Sequence, residues 1–494
     1  MDSAVDNAYS RTREIGGDTS EAFTLGTLEL DSILGDALVP GSLLVVAGHP
    51  GSGKTTLAST ICYANAQRGK KCLYVSFQEH KEKLYSNMKK LGLNLEELEK
   101  QGLLFFVKLP LLAKGDAVDS VLSTISESVI KYNPGIVVVD SITPLLKATE
   151  NDVSARAVLQ NFFAELPQLL KGLVVLLAEV PLGLESTKLG DIEFVADVVL
   201  ILKHKVVQGL LTRYMELRKA RGANISVAEL PFTITEGKGL VVYGPVVLEE
   251  IPAAGTEFIE PPCRVFREVV GSIKRGEVIY MTYPPDARPT KTLAFLVATA
   301  AVNGLKVLFI SYKSSPRDLR ALAKRELVEL GVNEEVAEKL VDQYFVFRGI
   351  NPLGVSLSQL SLLETKIIEE HNPDVVVFHG VDIPAALIET STWRAGLLNE
   401  LLYLRKRGVT TIRMGSYDDK YWFNASLADV VVKVSVREVE RNGEKSFEYE
   451  SYVWRRGMDK PLLIGERALV ECIAEVREIV KRVHPVAEPA EKAV

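Results

Sequence analysis

The sequence predicts an α/β protein of two tandem domains, each a mostly parallel twisted sheet flanked by helices and extended by antiparallel strands. From Leu43 onward, short β-branched runs alternate with longer helical patterns, which is typical of a parallel sheet with crossover helices on both faces. The same pattern then starts again: the apolar run that ends at Asp140 is matched by a run that ends at His379. A length of 494 residues also exceeds what one hydrophobic core usually organises.

Composition places the domain boundaries. A proline-rich, acidic stretch at residues 246–262 interrupts all periodicity, so we expect a linker there between a first domain at 23–245 and a second at 263–480. The polar N-terminal stretch and the Ala-, Pro- and charge-rich C-terminal stretch predict flexible tails at 1–22 and 481–494.

Charge and cysteine usage exclude several classes of protein. The net charge of -6 argues against a broad electrostatic surface for nucleic acid. Residues 1–19 lack the apolar stretch of a secretory signal, and no apolar run reaches the roughly 20 residues that span a bilayer. The four cysteines have no metal-like spacing and favour a reduced compartment over a disulfide framework. We therefore expect a cytoplasmic protein without membrane insertion.

A phosphate-binding loop joins the first predicted strand to the first long helix. Its glycines let successive N–H groups face phosphate oxygens, its lysine reaches the terminal phosphates of ATP, and its first threonine offers a hydroxyl to Mg²⁺. The predicted nucleotide-binding residues are Gly48, His49, Pro50, Gly51, Ser52, Gly53, Lys54, Thr55 and Thr56.

Two further positions complete this predicted site. Asp140 closes an apolar strand and is the expected partner of Mg²⁺, directly or through water, although an ordinary strand-end aspartate is the alternative. The carboxylate that activates water is expected after the second strand, where Gln78 and Glu79 stand and Glu79 is the only carboxylate.

Several motifs in this order resemble the KaiC-like branch of the RecA superfamily, closely over residues 23–245 and weakly over 263–475. The motifs that carry the resemblance are Leu30–Gly35, Pro40–Ser42, the phosphate-binding loop, Phe77–Glu79, Phe194–Asp197, Arg218–Gly222 and Pro231–Thr235.

The resemblance implies a ring, as a hexamer or a similar assembly, with ATP between subunits. In such a ring a neighbouring subunit supplies a Lys and an Arg to the γ-phosphate, and Lys219 and Arg221 match that pair. Without the resemblance, residues 218–221 would equally read as a solvated basic turn. The predicted catalytic residues are Gln78, Glu79, Lys54, Lys219 and Arg221.

The chain departs from the family pattern at two places. The family usually has two adjacent glutamates after the second strand, and Gln78 replaces the first, so we expect slow hydrolysis, tight ATP binding or both. Where circadian members of the family phosphorylate an adjacent Ser and Thr, this chain has Glu193 and Phe194, which excludes such autophosphorylation in the first half.

The second half is predicted to be a degenerate copy. Aligning His379 with Asp140 places the phosphate-binding loop within residues 283–292, where Lys291 and Thr292 survive but every glycine is lost. Lys313 and Trp454 stand at the positions of Gln78 and Lys219. We interpret this half as a pseudo-ATPase, either a scaffold or a site for another anion or partner that uses Lys291, Arg288 and Lys313.

The sequence thus predicts an ATP- and Mg²⁺-dependent assembly or signalling switch with an unidentified protein partner. One alternative is a DNA-dependent ATPase of the RecA/RadA type, which the acidic or mixed charge of residues 147–156 and 181–193 does not favour. The other is an ATP-sensing protein that does not hydrolyse, which Gln78 favours.

Overall fold

The computed structural model describes residues 22–110, 117–181, 192–207, 209–223, 228–243, 250–285, 291–354, 357–387, 390–417, 421–441 and 444–483. The chain divides into two compact units, residues 1–244 and 245–494. The predicted tails therefore lie almost wholly outside the described residues. Within the described part, no helix is both long and apolar enough to cross a membrane.

The first unit is built on one nine-stranded sheet with the order β3-β2-β4-β5-β1-β6-β7-β8-β9. Its strands are β1 Ser42–Gly48, β2 Cys72–Ser76, β3 Leu104–Lys108, β4 Ile136–Asp140, β5 Leu173–Glu179, β6 Val198–Val207, β7 Leu210–Ala220, β8 Glu229–Thr235 and β9 Gly239–Val242. Its helices are α1 Leu28–Leu34, α2 Lys54–Ala66, α3 Lys81–Lys90, α4 Leu95–Lys100, α5 Ala117–Tyr132, α6 Thr143–Ala148, α7 Val153–Leu170 and α8 Ile192–Val195, with a 3₁₀ turn at Gly35–Ala37.

Strands β1 to β6 run parallel, and β7 to β9 add antiparallel strands at one edge. The central strand β1 is buried along its whole length because helices pack on both faces of the sheet. All the parallel strands end at one edge, so the loops that follow β1, β2, β4 and β5 meet there.

The second unit repeats the plan with an eight-stranded sheet in the order β14-β13-β15-β16-β12-β17-β18-β19. Its strands are β12 Val278–Tyr283, β13 Val307–Ser311, β14 Phe345–Gly349, β15 Val375–His379, β16 Thr410–Ser416, β17 Val430–Arg441, β18 Glu444–Arg455 and β19 Leu462–Ile464, and a separate ribbon pairs β10 Phe258–Ile259 with β11 Ile273–Lys274. Its helices are α9 Arg264–Val270, α10 Thr292–Asn303, α11 Pro316–Glu329, α12 Glu334–Tyr344, α13 Leu357–His371, α14 Asp382–Leu387, α15 Thr390–Lys406, α16 Tyr421–Ser426 and α17 Glu466–Arg482.

Two asparagines show how closely the units correspond. Asn65 on α2 donates to the carbonyls of Ile61 and Thr24, at 2.8 and 2.7 Å, and accepts from the backbone of Thr24. Asn303 on α10 makes the same three bonds to Thr299 and Glu260. The asparagines therefore align α2 with α10, residue by residue, at an offset of 303 − 65 = 238.

The predicted α/β class, with two mostly parallel sheets that carry antiparallel extensions, is confirmed. The linker expected at 246–262 contributes the short strand β10 to the ribbon with β11. The exact domain boundaries remain a prediction.

The expectation that the cysteines would not form disulfides is wrong for this structure. Cys62 on α2 bonds to Cys72 on β2, and Cys263 before α9 bonds to Cys472 on α17, with Cα–Cα distances of 5.7 and 5.2 Å. The second pair is 209 residues apart in sequence, and only the fold brings its members together. Spacing along the chain therefore carried no signal for it.

Candidate functional site

The phosphate-binding loop leaves the carboxyl end of β1 and enters α2, the helix that begins at Lys54. Gly53 has a φ of 106°, and a Cβ atom there would lie 2.9 Å from Ile234 Cδ1. A Cβ atom on Gly48 would lie 2.4 Å from the carbonyl oxygen of Leu202. Both positions therefore require glycine, for backbone conformation in one case and for space in the other.

Lys54 is almost completely buried beneath this loop. Its Nζ donates to the carbonyl oxygens of Gly48 and His49, at 2.9 and 3.0 Å. Burial lowers the pKa of Lys54, while the nearby carboxylates of Glu179 and Asp140 raise it. The ammonium group is thus held at the loop by protein oxygens.

Asp140, at the end of β4, points at the start of α2. Its Oδ2 accepts a hydrogen bond from the Thr55 hydroxyl at 2.9 Å. Burial raises the pKa of Asp140, and hydrogen bonds from Tyr74 and Thr55 oppose that shift. The hydroxyl and the carboxylate predicted to serve Mg²⁺ are therefore in direct contact.

Tyr74 is a residue of the candidate site that the sequence did not reveal. Its hydroxyl donates to Asp140 Oδ2 at 2.7 Å from inside β2, where an aromatic residue reads as ordinary core. Burial and the Asp140 carboxylate raise the pKa of Tyr74 far above its usual value, so the phenol keeps its proton and stays a donor. Tyr74 therefore fixes the position of the Asp140 carboxylate.

Glu79 and Gln78 follow β2 at the same edge of the sheet. Glu79 is half-buried, whereas Gln78 is exposed. The Glu79 backbone is held by Ser76, whose hydroxyl accepts from the Glu79 N–H at 3.1 Å, and by Lys108 Nζ at 3.0 Å from its carbonyl oxygen. Burial, followed by the Asp140 charge, raises the pKa of Glu79, which makes this carboxylate more basic than an ordinary glutamate.

Glu179 is a second residue that sequence reasoning missed. It ends β5, beside Gly48 on β1, and its charge influences both Lys54 and Asp140. The sequence did carry a signal for Glu179, because it is an acidic residue at the end of a central parallel strand. The ends of such strands lie together along one crevice, where ligands bind.

Lys219 and Arg221 lie near the amino ends of the parallel strands, away from the carboxyl ends where the phosphate-binding loop lies. Lys219 pairs with Val199 near the start of β6, which places it at least three strand residues, or about 10 Å, from the end of β1. Lys219 Nζ donates to the carbonyl oxygen of Phe194 at 3.0 Å, and Arg221 donates to the same oxygen at 2.8 Å. The structure therefore groups these two cations together but keeps them away from Lys54 of the same chain.

The residues at the carboxyl ends of the parallel strands in the first unit fit a nucleotide with a divalent cation. The Gly48 backbone leaves no room for a side chain, as a closely wrapped phosphate loop requires, and the loop carries a buried lysine at its end. Thr55 and Asp140 offer a hydroxyl and a carboxylate, the oxygen ligands that Mg²⁺ prefers. Lys54 and the loop would hold the phosphates, and Thr55 and Asp140 would hold the metal.

Comparison with known proteins agrees with this geometry. The family model described as the KaiC ATPase matches residues 24–247. The first half of the chain is a KaiC-like ATPase domain of the RecA superfamily. It is 24% identical over 386 residues to the circadian clock protein KaiC3 of Synechocystis sp., which covers 76% of this chain and 75% of that protein.

Two other relatives match a shorter part of the chain. The circadian clock oscillator protein KaiC of Thermosynechococcus vestitus is 24% identical over 211 residues, 43% of this chain and 40% of its own length. A UPF0273 protein of Thermotoga maritima is 25% identical over 230 residues, 43% of this chain and 92% of its own length.

In the second half, the structure corrects the predicted alignment with the phosphate-binding loop of the first half. Lys291, with a left-handed φ of 69°, caps α10 where Gly53 caps α2. The offset of 238 from the paired asparagines therefore aligns Lys54 with Thr292 and Thr55 with Leu293. Both functional side chains of the loop are lost here, and Lys291 instead pairs with Glu329.

A carboxylate also occupies the start of α10. Glu326, buried on α11, accepts a hydrogen bond from the backbone N–H of Ala294 at 2.9 Å. Ala294 corresponds to Thr56 in the first half, so the amide that α2 presents beside the phosphate-binding loop is satisfied by the protein itself. Burial raises the pKa of Glu326, and hydrogen bonds from the helix backbone oppose this rise.

The residues on the strands beside this position also differ between the two units. His379 takes the place of Asp140, and its Nδ1 lies 3.0 Å from the Ser311 hydroxyl. Phe309 takes the place of Tyr74, with its ring centroid 5.6 Å from that of His379. Lys313 Nζ donates to the Tyr283 hydroxyl at 3.2 Å, and Arg288, the third predicted anion ligand, lies outside the described residues.

Proposed function

We propose that the first half of this KaiC-like protein binds ATP with Mg²⁺, hydrolyses it slowly, and thereby controls assembly or signalling. The observation that carries this proposal is the meeting of Lys54, Thr55, Asp140 and Glu79 at one edge of the sheet, with Asp140 held by both Thr55 and Tyr74.

Each side chain has a definite task in this proposal. The bound nucleotide supplies the phosphoryl group to be transferred, and its metal supplies positive charge beside that group. Lys54 neutralises phosphate oxygens from beneath the loop. Asp140 and Thr55 hold the metal, and the Tyr74 hydroxyl keeps the Asp140 carboxylate from turning away.

Glu79 accepts a proton from the attacking water in this mechanism, and Gln78 orients that water. Gln78 cannot take up a proton, so catalysis depends on Glu79 alone. The raised pKa of Glu79 suits this role, because a more basic carboxylate removes a proton more readily. A single, half-buried base is consistent with slow turnover.

Assembly places Lys219 and Arg221 of one subunit against the nucleotide of its neighbour. The support is their position: they lie beside the start of β6, about 10 Å along the strands from the phosphate-binding loop of their own chain, and both are held by the Phe194 carbonyl. Phe194, which accepts their hydrogen bonds through its carbonyl, has 71% of its surface exposed, as a residue at a subunit contact would. We propose a ring, as a hexamer or a similar closed assembly.

The second half acts as a pseudo-ATPase in this proposal. The losses at Thr292, Leu293, Phe309 and His379 support it, because they remove the phosphate, metal and metal-positioning side chains together. Glu326 adds a negative charge at the helix start, which opposes phosphate binding.

Phosphate release and light scattering of the full chain, each with and without ATP, test catalysis and assembly together. Arg221→Ala should lower hydrolysis on the order of the 10³-fold or more that such an arginine contributes, without weakening ATP binding to the isolated subunit. Arg218→Ala is the matched control, because Arg218 pairs with Glu216 of its own subunit at 3.0 Å. Equal turnover of the two variants would refute the role of Arg221.

A second candidate function is ATP sensing without hydrolysis, which Gln78 at the base position favours. Phosphate release that matches a Lys54→Ala control, combined with ATP-dependent assembly, would favour this second function. In the hydrolytic function, Gln78→Glu should raise turnover, because it restores a second carboxylate beside the attacking water.

A further inference from the structure

The second unit contains a cavity of about 560 Å³ between its sheet and three helices. Apolar side chains from β12, β16 and β17 form the floor, and α9, α10 and α17 form the walls. The volume lies within the range of roughly 300–1,000 Å³ that is typical of small-molecule sites. Val470 lines the cavity and has 61% of its surface exposed, so the cavity reaches the protein surface beside α17.

The first unit fills the corresponding space with its last two strands. Phe232 and Ile234 on β8 pack against the start of α2, where a Cβ atom on Gly53 would meet both of them. In the second unit the sheet stops at β19, which has three residues, and no further strand follows among the described residues. The chain continues instead as α17, whose side chains leave the space open.

Two substitutions enlarge this space further. The helix offset of 238 aligns Ile61 with Thr299, and the strand pairs Leu202–Met215 and Val434–Ser451 align Met215 with Ser451. Ile61 and Met215 belong to the apolar core of the first unit, whereas Thr299 and Ser451 line the cavity. Shorter side chains thus replace longer ones at two points of the lining, one on α10 and one on β18.

The lining indicates what class of molecule fits. Among the described residues that line the cavity, the charged ones are Lys291 and Glu466, one of each sign. Lys291 is already paired with Glu329. The lining therefore offers no net charge to attract an anion or a cation, and an apolar wall excludes an unpaired charge.

We propose that the second half binds an uncharged, apolar small molecule in this cavity. The nucleotide site lost from this half is then replaced by a site for a different class of ligand. This proposal does not depend on ATP hydrolysis in the first half.

Titration of the full chain with the uncharged fluorophore N-phenyl-naphthylamine tests the proposal. We expect saturable binding of one molecule per chain and displacement by octanol, decanol and dodecanol. Each added methylene should tighten binding about four-fold until the cavity is filled. ATP should not displace the fluorophore, because the phosphate-binding loop lies in the other unit.

The variant Thr299→Ile/Ser451→Met installs the first-half residues and should weaken decanol binding by about ten-fold or more, since it removes the space of several methylenes. Val302→Met is the matched control, because Val302 on the same helix is 48% exposed and does not line the cavity. Unchanged thermal unfolding of both variants, followed by tryptophan fluorescence, would show that they remain folded.

Three results would overturn the proposal. These are the absence of saturable fluorophore binding to the unaltered protein, equal decanol affinity in the filled variant and the control, and displacement of the fluorophore by ATP. Decanoate binding as tightly as decanol would overturn the assignment to uncharged ligands.

Discussion

Replacing Arg413 with leucine should destabilise the second half by about 3–5 kcal/mol, the cost of leaving a buried charge without its partner. Arg413 lies on β16 with only 3% of its surface exposed, between Tyr280 and Phe378 of the neighbouring strands. Its equivalent in the first half is Leu176, which lies between Val45 and Val139.

The charge that Arg413 balances belongs to a pair of buried glutamates. Glu364 and Glu400 are hydrogen-bonded to each other, and Glu364 accepts a further bond from the Tyr312 hydroxyl at 2.5 Å. Burial lowers the pKa of Arg413, and the surrounding tyrosines and glutamates oppose that shift. Arg413 is the cation that acts on both glutamates among the described residues, so without it an ionised carboxyl group in this cluster loses that balancing charge.

The first half shows which residues would replace the cluster without charge. Ile125 lies 136 − 125 = 11 residues before the start of β4, as Glu364 lies 375 − 364 = 11 before β15. Phe163 lies 173 − 163 = 10 residues before β5, as Glu400 lies 410 − 400 = 10 before β16. The variant Glu364→Ile/Glu400→Phe/Arg413→Leu therefore copies a core that already packs in this fold.

We expect the triple variant to recover most of the stability that Arg413→Leu loses, because an apolar core of similar volume needs no partner for a charge. All three tryptophans, Trp393, Trp422 and Trp454, lie in the second half, so tryptophan fluorescence during urea unfolding reports that half alone. A single variant as stable as the unaltered protein, or a triple variant no more stable than the single one, would refute the charge-balance argument.

Three further predictions concern Tyr74, Glu400 and the Cys263–Cys472 bond. Tyr74→Phe should weaken Mg²⁺-dependent ATP binding, measured by titration calorimetry, by the roughly 1.5–3 kcal/mol of a hydrogen bond to a charged group, and Mg²⁺-independent nucleotide binding should not change. Burial raises the pKa of Glu400 above its unfolded value, so the folded state keeps one extra proton; the free energy of unfolding of the second half should fall by about 1.4 kcal/mol per pH unit between the two pKa values, and this slope should be smaller in Glu400→Gln, where Glu364 remains. Cys263→Ser should lower the urea stability of the second half by about 5 kcal/mol, because the bond closes a loop of 209 residues, and a reductant should reproduce the loss only in the unaltered protein.

Strand content and duplication could be predicted because they depend on local patterns. Parallel strands buried on both faces appear as unbroken apolar runs, and two copies of one fold repeat those runs in order. Asn65 and Asn303 are also repeated in the sequence. Their role, which is to join each helix to Thr24 or Glu260, could be recognised only from the folded structure.

The site could be predicted where a recognisable motif marks a residue, as at Lys54, Thr55 and Asp140, and not where only contacts between strands reveal it. Lys54 and Thr55 belong to a contiguous motif. Tyr74 and Glu179 reach the same site from two other strands. In the sequence, Tyr74 is indistinguishable from a core aromatic residue, and Glu179 from an ordinary residue at the end of a strand. The partners of buried cysteines were hidden for the same reason.

Lys291 shows that a matching residue type does not establish an equivalent position, because the backbone geometry determines which residues correspond. The pair Lys291–Thr292 reads as a surviving Lys-Thr, yet eight residues (284–291) separate β12 from α10, whereas five (49–53) separate β1 from α2. The longer connection moves the lysine to the cap position before the helix. There its side chain turns to Glu329 instead of lying beneath a loop.

The two halves diverged in their interiors as well as at their sites, and the interior changes constrain their order. Loss of the phosphate-binding loop requires no change near Arg413, because that residue lies in mid-strand and not at the strand ends. A lone arginine or glutamate in this core would have cost several kcal/mol, so Arg413 and at least one of its glutamates had to become established nearly together. The backbone ties that both halves keep, such as Asp197 and Asp429, each accepting an N–H from the central strand at 2.9 Å, preserved the sheet while that happened. These ties therefore hold the central strand in both halves, whichever core packs beside them.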